Sequence, residues 1–152
     1  MTYTNKGAWR ERSIVYQGAT PPTNFFVMLF TSAVTPTQAT DLVSDLTEIA
    51  AGNGYTSGGI SLSRNATDFD VNTENDGVIN KAITQIKDVV WTASGGNLPI
   101  SGGGALWVGL VNDTATIADR EVWQFWSLGS ARTVSSGQLL TAVDLRFDAA
   151  TA

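Results

Sequence analysis

The sequence contains no cysteine and no histidine. The first absence excludes disulfides, thiolate nucleophiles and cysteine-ligated metal, and it leaves the redox compartment open. The second removes the side chain that titrates nearest neutrality, and with it the common proton shuttle and the common zinc ligand. Charge is also scarce, at 15% of residues against about 25% in an average soluble domain. The nine basic residues are scattered among fourteen acidic ones, net charge −5, so no Lys/Arg cluster is available for phosphate and no nucleic-acid partner is expected. No apolar run approaches the ~20 residues of a membrane span, and "MTYTNKGAWRER" lacks an apolar stretch followed by a small-residue cleavage site. Neither a membrane partner nor a cleaved signal is expected.

What remains is a chain of 152 residues, 43% hydrophobic, whose surface must be finished largely with Ser, Thr, Asn and Gly. A domain of this size buries roughly 70% of the surface of its unfolded chain, so a substantial core is possible. No linker, heptad or solenoid repeat interrupts it, and residues 1–152 read as a single domain.

Hydrophobic periodicity predicts mainly strands. "NFFVMLFTS" and "ALWVGLVND" are short, apolar on both faces and bounded by turn residues, whereas "GGISLSR" and "DFDVN" alternate as half-buried strands do. "VINKAITQIKDVVWTAS" fits a helical stripe at one end and a strand at the other, and a strand over 83–92 is expected. Leu139, Thr141, Val143, Leu145 and Phe147 alternate with Leu140, Ala142, Asp144, Arg146 and Asp148, a closing strand. The main helix is expected around 36–51, where Pro36 suits a first turn and Leu42, Leu46, Ile49 and Ala50 recur at spacings of four and three. Residues 6–16 suit a short N-terminal helix opened by Thr4 or Asn5, while "SIVYQG" equally suits a strand leading into the "GATPPT" turn. The expected fold class is therefore mainly β, an antiparallel, jelly-roll-like β-sandwich with one main helix.

Candidate chemistry is thin. "DFDVNTEND" spaces Asp68, Asp70, Asn72 and Glu74 by two, but a calcium loop needs glycine at its sixth position and a bidentate Glu at its twelfth, where Thr73 and Ile79 stand. Solvated carboxylates on a strand edge, with Phe69 and Val71 inward, fit better. The glycine clusters "SGGGA" and "GNGYTSGG" lack both the G-K-[ST] and the G-x-G-x-x-G contexts that cradle phosphate. Asp41 with Asp45, or Asp119 with Glu121, are carboxylate pairs of the kind glycosidases use, though sequence cannot set two of them across a sugar. No catalytic residue, metal or cofactor is expected, and the chain reads as non-enzymatic.

Contact surfaces are what is left. In "REVWQFWSLG" strict alternation puts Trp123 and Trp126 on opposite faces, and three strands are apolar on both sides while one helix is available as cover. A neighbouring subunit is the economical cover, with Trp9, Phe25, Trp107, Trp123 and Trp126 as interface candidates.

The stretches "NKGAWRERSIVYQGATPPTNFFVMLFTSA", "DLVSDLTEIAAGNGYTSGGISLSR", "VVWTASGGNLPISGGGALWVGLVND" and "WSLGSARTVSSGQLLTAVDLRF" together resemble small virion structural proteins of tailed bacteriophages, over nearly the whole chain. The resemblance implies a β-rich accessory protein of the particle, assembled in the host cytoplasm as a homo-oligomer such as a trimer. Its partners would be its own copies and the major capsid protein or other virion proteins. It carries over no catalytic residues. A capsid decoration or cement protein is the first expectation. A tail-fibre or receptor-binding module that holds a cell-surface glycan with aromatics and amides is the alternative.

Overall fold

The computed structural model describes residues 2–74 and 81–150. In chain order the elements are β1 (Thr2–Tyr3), α1 (Asn5–Gln17), β2 (Asn24–Phe30), β3 (Ile60–Ser63), β4 (Val71–Thr73), β5 (Lys81–Gln85), β6 (Val89–Thr92), β7 (Ala105–Val111), β8 (Val122–Arg132), β9 (Leu139–Ala142) and β10 (Arg146–Ala150). They form a five-stranded sheet in the order β1-β8-β7-β2-β3, a three-stranded sheet β10-β5-β4 and a two-stranded ribbon β6-β9, with every pairing antiparallel. The chain is thus mainly β with one helix, in a sandwich-like arrangement.

The main core lies between the five-stranded sheet and the layer made by the two smaller ones. Phe25, Val27, Leu29, Val108 and Leu110 meet Ile86, Val89, Trp91, Leu140 and Leu145 there. A second, smaller core occupies the opposite face of the large sheet. Met28, Phe30, Val111 and Val122 are covered by Val43 and Leu46 of the long β2–β3 connection. That connection is pinned along its length: Thr31 N donates to Thr47 O, Val43 N to Arg120 O and Val122 N to Asp41 O, at 2.9 Å each. The chain therefore covers both faces of its own two-sided strands, and the expectation that a neighbour must cover one of them is corrected.

The helix sits elsewhere than its expected place. Segment 36–51 holds only a single 3₁₀ turn, Val43–Asp45. Its Thr and Asp side chains bond the local backbone: Asp45 Oδ2 accepts from Asp41 N and Leu42 N, and Thr40 Oγ1 accepts from Thr37 N. Such side-chain bonds offer the backbone an alternative to helix. Of the spaced residues only Leu46 and Ile49 are buried; Leu42 is half-buried, Ala50 is exposed, and Val43 packs on the sheet in their stead, from an irregular, well-bonded path.

Among the described residues the single α-helix is α1. Thr4 caps it, its Oγ1 accepting from Gly7 N at 2.9 Å, and Gly18 ends it in the left-handed region at φ 68° with its N–H on Ser13 O. Gly7 lets the helix lie against β8, since a Cβ there would stand 2.3 Å from Trp123 O.

Two expected strands are broken. The strand over 83–92 is β5 and β6, which belong to different sheets, with Ile86 buried between them. The closing strand is β9 and β10, separated at Asp144, whose φ is 53°. That break reverses the expected alternation: Leu140, Ala142 and Leu145 point into the core, while Leu139 and Val143 face outward.

Candidate functional site

The five aromatic candidates do not form one surface. Phe25, Trp123 and Trp126 are buried within the subunit, Trp107 is half-buried, and Trp9 is exposed. A β-bulge explains the two central indoles. The β7–β8 register slips between Leu110 and Val111, where Val122 faces Val111 but Gln124 faces Leu110, so Trp123 is the extra residue. The slip shifts the alternation by one, and Trp123 and Trp126 fall in the same core rather than on opposite faces. Trp126 Nε1 donates to Arg146 O at 3.1 Å, and the Phe25 ring stands edge-on to Trp123 at 4.9 Å. Trp107 packs on the second core, edge-on to Phe125 at 6.0 Å. Trp9, 51% exposed on α1, is flanked by Lys6 Nζ at 5.6 Å and Arg10 Cζ at 4.8 Å from the ring centre.

The acidic candidates are taken up by the fold. Asp68 is buried and not turned out as expected: its carboxylate accepts from Ser63 N at 2.7 Å and pairs with Lys87, which holds it below the usual carboxylate range. Asp76 and Ile79 lie outside the described residues. Asp45 caps its own turn, and Glu121 takes a bidentate contact from Arg10 at 2.7–3.0 Å and a bond from Asn112 Nδ2 at 3.3 Å. No group of three or more metal-ligating side chains occurs among the described residues.

Two surface features stand out instead. The first is the outer face of the β6-β9 ribbon, where Val90 is 43%, Leu139 57% and Val143 53% exposed. The pairings Val90–Thr141 and Thr92–Leu139 put these four side chains on one face. Beside it runs a groove of about 410 Å³, bordered by Leu128, Arg132 and Val134 on one side and Leu139 and Val143 on the other. Both borders include strand edge. Among the described residues β9 pairs only with β6, and β1 meets β8 only at Gln124 and Phe125, leaving the rest of that edge without a strand partner.

The second is a cavity of about 480 Å³ between α1, the turn at 64–66 and the β10-β5-β4 sheet. Phe25, Phe69, Trp123 and Phe147 give it aromatic walls, and Glu11, Arg64, Asn65 and Asn72 are polar groups around it. Tyr3 joins the two sets. Its hydroxyl donates to Glu11 Oε1 at 3.3 Å. Burial pushes the Glu11 carboxyl above its ordinary value, against the Tyr3 bond and the Arg12 charge, and pushes the Tyr3 phenol up as well. Gln124 Oε1 and Trp123 Nε1 are buried without a hydrogen-bond partner. Leaving such a group unpaired costs about 1–3 kcal/mol, so each asks for an explanation.

Sequence reasoning missed this cavity because its polar residues come from five separate stretches and share no period. Two of the interface candidates, Phe25 and Trp123, turn out to be its wall. No protein-family model, no curated protein and no solved structure matches the chain.

Proposed function

We propose that the chain is a non-enzymatic structural protein of a tailed-phage virion, a capsid decoration or cement protein that acts through contacts with its own copies and with the capsid. The observation that carries this reading is the outer face of the β6-β9 ribbon. Apolar side chains there are half exposed beside two open strand edges, although the same chain covers both faces of its large sheet. Natural sheets protect such edges, and an apolar face next to one marks a place for another chain. A second copy adding its own edge across the groove satisfies the backbone groups and covers Leu139 and Val143 together. The low charge of the chain supports the reading, since neighbouring copies repel each other weakly.

The test is to mix the purified protein with tailed-phage capsids assembled without it and to pellet the particles. Saturable co-sedimentation, at a fixed ratio to the major capsid protein, is expected. Protein that stays in the supernatant at every concentration contradicts the proposal.

A further inference from the structure

We infer that the cavity between α1 and the β10-β5-β4 sheet binds a short neutral saccharide of one or two rings. A pyranose presents an apolar C–H face and a rim of hydroxyls that both donate and accept, so its site needs an aromatic wall and polar groups of both kinds. The cavity supplies the wall with Phe25, Phe69 and Trp123, the Phe25 ring standing edge-on to Phe69 at 5.9 Å and to Trp123 at 4.9 Å. It supplies an acceptor in Glu11 and donors in Arg64 and Asn72. Asn72 Oδ1 already accepts from Thr84 Oγ1 at 3.2 Å, and its amide N–H groups are not used by that bond. Gln124 lies in the floor beneath these groups, its side chain buried.

Volume and charge narrow the ligand class. About 480 Å³ lies within the usual span of small-molecule sites. Glu11 and Arg64 bring one charge of each sign, with no basic or acidic cluster to select an ion. A purely apolar ligand would strip water from the polar groups without replacing their bonds. Phe25, Trp123 and Asn72 sit on strands and Glu11 on the helix, whereas Phe69 and Arg64 come from the turn that follows β3. This site lies apart from the groove beside the ribbon, and its occupancy is independent of association.

The experiment is saturation-transfer NMR on the full chain against glucose, galactose, N-acetylglucosamine and their β-linked disaccharides. Saturable transfer to at least one of them is expected, strongest on one face of the ring. Asn72→Ala should weaken binding about tenfold, the effect of one lost hydrogen bond. Ala66→Trp, at the exposed mouth, should abolish it at unchanged melting temperature. Binding should persist in Leu139→Glu/Val143→Glu protein, which separates this site from the association surface. The inference is overturned by absent transfer from every sugar up to roughly 50 mM, or by binding that Ala66→Trp leaves intact.

Discussion

At the scale of single residues, the fold depends on a few contacts that composition does not reveal. Asp68 is one. Its folded carboxyl titrates below the ordinary value because Lys87 and Ser63 N favour the charged form, so its stabilisation is present above the unfolded value of about 3.9 and is lost as pH falls through the lower folded value. Asp68→Asn should cost about 1–2 kcal/mol at pH 7, with the difference from the parent shrinking below about pH 4, as denaturant melts across pH will show. Gly7 is another, where two effects oppose. Alanine improves an isolated helix by about 1 kcal/mol, but its Cβ would stand 2.3 Å from a backbone oxygen of β8, and overpacking of that kind costs typically 1–3 kcal/mol. The clash should win, and Gly7→Ala should melt lower than the parent.

At the scale of elements, the informative result is where sequence patterns translate and where they do not. The strands "NFFVMLF", "ISLS" and "ALWVGLV" were legible because a short apolar or alternating run between turn residues has few other solutions. The helix over 36–51 was not, because Leu42, Leu46, Ile49 and Ala50 occupy helical spacing while Thr37, Thr40 and Asp45 bond the local backbone instead. The bulge at Trp123 was not legible either, since a register slip depends on the partner strand and not on the strand that carries it. Both misreadings fed one inference, that the large sheet lacked cover. The β2–β3 connection is that cover, and Leu46→Ala should cost about 2–5 kcal/mol in chemical denaturation. A change below 0.5 kcal/mol would mean the connection only rests on the sheet. The aromatic cavity lay beyond sequence reasoning altogether, because the fold gathers Tyr3, Glu11, Arg64, Asn72 and Phe147 from segments with no shared spacing.

At the scale of the whole molecule, exposed apolar side chains stand at several places, among them Val34 and Ile100 in loops. Trp9 and Tyr16 are exposed one above the other on α1, and the ribbon presents Val90, Leu139 and Val143 beside open strand edges. Among the described residues the ribbon sets apolar side chains beside strand edges that lack a strand partner, which is the ground of the proposed self-association. The mass of the protein in solution, measured by sedimentation equilibrium over a wide dilution series, tests this most directly. The account predicts a closed oligomer for the parent chain and a monomer of unchanged melting temperature for Leu139→Glu/Val143→Glu. A parent chain that is monomeric at every concentration, or a double variant that assembles as the parent does, would contradict it.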